Sequence, residues 1–236
     1  MNNRYILLYT LIMSLITAVV LAFVVNVLHP RHIANEEVYN KKDILSAIKD
    51  QLGQDPSKLK DKEILALFDT KVEQITLDAT GKTVEDVKAE DIDVAAEDKK
   101  PLADRKYPLF VYKGEKGNIY LMTVRGNGLW DKIWGYIALA DDFNTIVGTS
   151  FGHAAETPGL GAEIKDNPNF SRQFQGKTIF EGPKYVSVGV VKGGVKRKAH
   201  EVDGISGATI TSRGVHDMLY KGIAPYLPYF ESLKTK

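Results

Sequence analysis

Pro108 to Val124 reads PLFVYKGEKGNIYLMTV. Two runs rich in β-branched and aromatic residues flank GEKG, Gly114 to Gly117, which is the pattern of a β-hairpin. Lys132 to Phe151, KIWGYIALADDFNTIVGTSF, repeats the plan, with DDFN at Asp141 to Asn144 as the turn. Further on, KYVSVGVVKGG (Lys184 to Gly194) predicts another strand that ends in glycines. Between Ile210 and Leu233 the pattern becomes helical, with Val215, Leu219, Ile223 and Leu227 on one side and breaks at Pro225 and Pro228. This order predicts an α+β domain: an antiparallel sheet flanked by helices, packed at one side.

Upstream of the first hairpin the chain turns polar. Glu36 to Leu52 reads as a helix with Val38, Leu45, Ile48 and Leu52 on one face. GQDPSK (Gly53 to Lys58) breaks it, and Leu59 to Phe68 suggests a second, short helix. Ala79 to Arg105 is strongly charged and poor in aromatics, so it is expected to wrap the outside of the domain as exposed, loop-rich chain.

Near the N-terminus, Tyr5 to Leu28 carries no charged residue: YILLYTLIMSLITAVVLAFVVNVL. As a helix this run reaches roughly 36 Å at ~1.5 Å per residue, enough for a ~30 Å hydrocarbon core. A cleaved signal peptide is the rival reading, but its apolar region is normally shorter, and no small-x-small site follows here. An uncleaved anchor is therefore expected. Arg4 on one side faces His29, Arg31 and His32 on the other, so charge hardly decides its orientation. The organisation read from these segments is a short tail over 1–4, a transmembrane anchor over 5–28, a helical and charged wrapping segment over 29–105, and a binding domain over 106–236.

Composition narrows the function classes. Lys and Arg number 31 against 30 Asp and Glu, a net charge of +1, so nothing points to nucleic acid as a partner. Cysteine is absent, which excludes disulfides, thiolate metal sites and iron–sulfur ligation. His153, His200 and His216 lack metal-ligand spacing and are read as surface or structural, so no metal site is expected. Ser150 and His153 lie near each other without a third member, and no catalytic set is assigned. Trp130 and Trp134, four apart in a strand-rich stretch, read from the residues alone as core. Glu156 reads as an exposed acid beside a Pro-Gly turn.

One stretch is left over. DGISGATITS, Asp203 to Ser212, places small and hydroxyl-bearing residues just before the last helical segment. Thr209 falls at the start of that helix, where unpaired N–H groups and the positive end of the helix dipole suit a phosphate. Gly204, Gly207 and Ala208 keep bulk away, so that backbone can approach an anion closely. The alternative is plain: Ser206 or Thr209 caps the helix, Asp203 makes a turn, and nothing binds. No nucleotide P-loop motif occurs.

Asp203-x-x-Ser206-Gly207-Ala208-Thr209 matches the signature D-x-x-[ST]-G-A-T, in whose bearers a flavin transferase esterifies the final threonine with the phosphate of FMN. GNGLWDKIWGYIAL (Gly126 to Leu139) and ETPGLG (Glu156 to Gly161) lie upstream of it. In this order the three motifs resemble the NqrC family, a subunit of the sodium-translocating NADH:quinone reductase. The related RnfG subunit of the Rnf ferredoxin:NAD complex shares ETPGLG and the threonine signature; Gly-x-Gly-Leu-Trp at Gly126 to Trp130 favours the first. The resemblance covers essentially the whole chain, least securely between Glu36 and Arg105.

The resemblance implies that Thr209 carries FMN as a phosphoester, with Ser206, Gly207 and Ala208 around the phosphate. It implies a role for Asp203 in recognition by the flavin transferase. Glu156, Thr157, Gly159 and Leu160 would form a loop near the isoalloxazine ring, Leu129 and Trp130 would give apolar contact, and Lys192 a polar one. The chain would then be an electron-relay subunit of a sodium-pumping NADH:ubiquinone reductase, partnered by its other subunits and not catalytic alone. The resemblance also places it in the bacterial inner membrane by a single span, with the soluble domain on the periplasmic side.

Overall fold

The structure, a computed structural model, describes residues 3–115 and 117–234. Met1 and Asn2 of the expected tail, Lys116 of the GEKG turn, and Thr235 and Lys236 lie outside the described residues. The chain forms two units, Met1–Lys41 and Lys42–Lys236.

Helix α1 (Asn3–Ser46) contains the whole apolar run, and its residues from Lys42 on belong to the second unit. It is long and apolar enough to cross a membrane, and none of its most apolar window is buried by the protein. Three polar residues of the run bond within the helix: Thr10, Thr17 and Asn26 donate to the carbonyls of Ile6, Met13 and Ala22 at 2.8–2.9 Å. Such back-bonding to the preceding turn lets polar side chains sit in an apolar span. The sequence suggests a separate helix from Glu36, but α1 runs unbroken through Pro30. Proline removes one N–H from the ladder without forbidding helical φ, so the helix continues through it.

In the second unit, α2 (Lys49–Leu52) and α3 (Asp61–Lys71) precede strand β1 (Val72–Leu77). The charged stretch that follows holds α4 (Val94–Glu97) between 3-10 turns. Then come β2 (Tyr107–Gly114), β3 (Gly117–Asn127), β4 (Lys132–Leu139) and β5 (Ile146–His153). Short α5 (Glu163–Asp166) and α6 (Pro168–Arg172) lead to the ladder pieces β6 (Phe180–Glu181), β7 (Lys184–Tyr185), β8 (Gly189–Val191) and β9 (Glu201–Asp203). Helices α7 (Thr209–Ile223) and α8 (Leu227–Lys234) finish the domain.

Strands β1 to β5 form one antiparallel meander in chain order. Both expected hairpins are present; in the second, Asp142 accepts from the N–H groups of Asn144 and Thr145 at 2.8 Å. Alternation sends Leu109, Val111, Tyr120, Met122 and Val124 to one face, where they pack with Val215, Met218, Leu219, Ile223, Tyr226 and Phe230 of the last helices. The opposite face is covered as well: Phe110 meets Phe68 of α3 edge-on at 5.7 Å. Helices thus lie on both faces of the sheet, where the sequence reading places them at one side.

Two further differences have local causes. VEQITL at β1 gives no clear strand signal in the sequence, because two of its six residues are charged or amide and its face alternation is weak. Its pairing with β2, from Val72↔Tyr112 to Leu77↔Tyr107, makes it the edge of the sheet. KYVSVGVVKGG does not make one strand of that sheet. It splits into β7 and β8 around Ser187, whose φ is +58°, and β8 pairs in parallel with β9, Val191 opposite Asp203.

Candidate functional site

That small parallel ladder sets up the site. It lays Val191 beside Asp203, and the Gly204 N–H donates to the Val191 carbonyl at 2.8 Å. Lys192 therefore leaves the ladder alongside the start of DGISGAT, with its side chain exposed. Gln173 of the α6 end clamps Asp203 by its backbone, accepting from its N–H (2.8 Å) and donating to its carbonyl (3.3 Å).

The chain then turns at Gly207, whose φ of +78° suits glycine. A Cβ there would also come within 2.7 Å of the Leu160 side chain, so the ETPGLG loop lies directly against this turn. Helix α7 begins at Thr209 with Ala208 as N-cap, and no side chain caps it. Neither Ser206 nor Thr209 is the cap that the plain alternative requires. The first helical bond runs from the Ser212 N–H to the Ala208 carbonyl at 2.9 Å. This leaves the N–H groups of Thr209, Ile210 and Thr211 without a helical partner, at the positive end of a four-turn helix.

The four hydroxyls of the stretch fall into two classes. Thr211 and Ser212 are buried, 1% and 6% exposed. The Thr211 hydroxyl donates to Glu156 Oε2 at 2.5 Å, and Ser212 Oγ accepts from the Ile205 N–H at 3.0 Å. Ser206 and Thr209 are exposed. Helical periodicity explains the split: positions 211 and 212 turn toward the core side that Val215 and Leu219 also occupy, and 209 turns away.

Glu156 is the hub that joins the three motifs. It is 4% exposed, not the exposed acid read from the residues alone. One carboxylate oxygen accepts from the Trp130 N–H at 3.0 Å and the other from Thr211. Its own N–H donates to His153 Nδ1 at 3.2 Å. Burial pushes the carboxyl pKa upward, but the Thr211 hydroxyl and the N–H groups of Trp130, Leu129 and Asp131 outweigh it and hold the group below the ordinary carboxylate range. A Cβ on Gly128 or on Gly161 would overlap the carboxylate oxygens. One glycine of each motif, Gly128 in GNGLW and Gly161 in ETPGLG, is thus explained by one side chain packed between their backbones.

Above this hub lies an apolar surface. Leu129, Trp130, Leu160 and Ile210 are 41–69% exposed, and Trp130 is the most exposed of them. The residues alone suggest core for Trp130, because the turn closed by the Gly128 N–H to the Asp131 carbonyl (2.8 Å) is invisible to periodicity. The indole Nε1–H donates to Thr157 Oγ1 at 3.1 Å, which ties the GLW loop to the ETPGLG loop. Trp134 lies instead over the backbone of Gly152.

The structure therefore brings Trp130, Glu156, Thr157, Leu160 and Gly207 together at the first turn of α7. Leu129 joins them through its chain neighbour, and exposed Gly159 (φ +74°) shapes the loop between Thr157 and Leu160. Among the described residues, no hydrogen bond or ion pair ties the Lys192 side chain or the Asp203 carboxyl to this group. Sequence reasoning missed Thr211, Ser212 and Gln173, since nothing in a list of hydroxyls and amides tells which will be buried. An exposed hydroxyl, three free N–H groups and an adjoining apolar wall are the complement of a phosphate joined to a flat aromatic group.

Comparison with known proteins agrees with this chemistry. Residues 128–224 match the model of the FMN-binding domain. The NqrC subunit of the Na(+)-translocating NADH-quinone reductase of Pseudomonas aeruginosa is 31% identical over 236 residues, spanning 91% of this chain and 88% of that protein. Its counterpart in Haemophilus ducreyi is 34% identical over 94% of this chain and 91% of its own. Among solved structures, the same subunit from Parabacteroides distasonis superposes with a TM-score of 0.75 at 35% identity, over 86% of this chain and 96% of that one. Shewanella oneidensis NqrC gives 0.70 at 27% identity, over 84% and 100%.

Proposed function

The chain belongs to the NqrC family of the Na(+)-translocating NADH-quinone reductase, and from that premise we propose that it is an electron-relay subunit carrying FMN as a phosphoester on Thr209. The observation that carries the attachment point is the division of hydroxyls. Thr211 and Ser212 are buried in internal hydrogen bonds, whereas Thr209 is exposed at the first position of α7. Ser206, also exposed, precedes the αL turn at Gly207 and lies outside the helix.

The N–H groups of Thr209 to Thr211 would hold the phosphate, with Ser206, Gly207 and Ala208 beside it. Leu129, Trp130 and Leu160 would flank the ring, and Thr157, Gly159 and Lys192 would line its approach. Bound there, FMN supplies electron transfer at its ring, which a phosphate tether leaves chemically unaltered. The protein's part is to bind and orient the group and to leave one edge open to a partner. Among the described residues nothing forms an acid–base or nucleophilic set.

The remaining elements of the reading follow the family. Helix α1 anchors the chain as a single span in the bacterial inner membrane, with the domain on the periplasmic side. The other subunits of the complex are its electron partners. A flavin transferase loads it, and the exposed Asp203 is offered to that enzyme. The sodium path lies in the partners, since one span is too little to build it.

The test is peptide mass mapping and in-gel flavin fluorescence after co-expression with a flavin transferase. Wild type is expected to carry one FMN on the Thr209 peptide. Thr209→Ala should lose it while staying folded, with stability within ~0.5 kcal/mol of wild type, because an exposed residue that caps nothing is removed. An adduct found on Ser206, Thr211 or Ser212 refutes the assignment.

A further inference from the structure

A phosphate tether contains a run of single bonds, so attachment at Thr209 does not by itself orient a ring. Orientation has to come from the apolar wall, and the wall is mounted on a loop. Trp130 and Leu129 stand on the turn from Asn127 to Asp131, which on its own is held by the Gly128 N–H to Asp131 bond and by Lys132 Nζ donating to Asn127 Oδ1 at 2.5 Å. Those ties close the turn on itself; its base rests on α7, where a Cβ on Gly214 would overlap the Asn127 carbonyl, but they do not tie its tip, Leu129 and Trp130, to that helix.

Glu156 ties that tip to the helix. Its carboxylate reaches from the Trp130 N–H to the Thr211 hydroxyl, two residues past Thr209 on the same helical turn. Gly128 and Gly161 press on the carboxylate from both sides, so it has little freedom to move. Its hydrogen-bonding capacity is spent on protein donors, which leaves it poorly placed to serve the ligand directly. We infer that Glu156 is a positioning residue: it clamps the Leu129–Trp130 wall to the first turn of α7 and so sets the orientation of the group attached at Thr209. This rests on the proposed flavin attachment for its purpose but not for its geometry, and the two are separable by experiment.

The experiment uses the full chain with Trp134→Phe, which leaves Trp130 as the sole tryptophan of two. In flavin-free protein carrying Thr209→Ala, Trp130 fluorescence anisotropy reports the wall alone. In flavin-loaded protein, visible circular dichroism and flavin anisotropy report the ring. Glu156→Ala should lower the Trp130 anisotropy and reduce the visible dichroism about twofold, with FMN still on Thr209. Glu156→Gln should restore most of both signals, because the amide can accept from Trp130 and donate to the Thr211 oxygen. A merely structural residue would lower stability without this spectroscopic pattern. If Glu156→Ala does not fold, Thr211→Val cuts the same clamp at its helix end and should reduce the dichroism in the same direction. Unchanged Trp130 anisotropy and flavin dichroism in a folded variant of either kind overturn the inference. Loss of FMN from wild type would refute the attachment proposal instead, and the Trp130 measurement would still decide the clamp.

Discussion

Replacing Thr211 by valine removes one hydroxyl from the centre of the site while keeping the β-branched shape. The side chain is buried and donates to an ionised carboxylate at 2.5 Å. A hydrogen bond to a charged group contributes about 1.5–3 kcal/mol. The N–H groups of Trp130, Leu129 and Asp131 remain on Glu156, so the loss stays below the ~3–5 kcal/mol of a buried charge stripped of its partner. Threonine and valine differ little in helix propensity. The expected cost is therefore about 2 kcal/mol at neutral pH, or roughly 4–8 °C in Tm for a domain of this size.

The same reasoning fixes the pH dependence. The folded-state pKa of Glu156 lies below its ordinary value. Its ionised hydrogen bonds therefore contribute stability that is whole above the ordinary carboxylate pKa and lost as pH falls through the lower folded value. Without the Thr211 donor the folded pKa rises, so the variant protonates first, and the gap to wild type narrows toward acid. Urea unfolding of both proteins at neutral pH and at about pH 4, where free carboxyl groups titrate, measures this. A cost below ~0.5 kcal/mol at neutral pH, or an equal cost at both pH values, would falsify the account of Glu156 as a charged acceptor.

Two glycines of the motifs should both lose stability on replacement by alanine but differ in the Trp130 signal. At Gly128 the new Cβ overlaps the Glu156 carboxylate and sits 3.0 Å from Ile133, so overpacking costs about 1–3 kcal/mol and shifts Trp130 emission. At Gly159 nothing lies within 4 Å, so only the positive φ is penalised, about 1–2 kcal/mol, and emission should hold; the opposite ranking of the two spectra would count against the packed carboxylate. Glu201 makes a separate prediction. The Arg197 N–H, its guanidinium and the Lys196 N–H hold its carboxyl down at about 2, so its contribution is intact at neutral pH and lost only as pH falls toward that value. Glu201→Gln should speed tryptic cleavage at Lys196 to Lys198 at neutral pH, and unchanged cleavage would mean the loop is held by something else.

Where a signal is local, the sequence determined it. Both hairpins, the apolar span and the amphipathic last helix follow from spacing among residues a few positions apart, which is also where their hydrogen bonds run. The signature ending at Thr209 was legible in the same way, and so was its place at a helix start. The remaining features depend on residues far apart in the chain. Glu156 takes its donors from 26 positions upstream and 55 downstream, so a Pro-Gly loop gave no hint that its acid is buried. Trp130 is pushed outward by a turn whose closure depends on Gly128, although its composition reads as core. Edge strand β1 is polar enough to pass for loop until β2 pairs with it. Four hydroxyls in ten residues are chemically alike on paper. Only the packing of α7 against the sheet buries two of them and leaves Thr209 at the surface, because burial is decided by what the rest of the chain brings to each face.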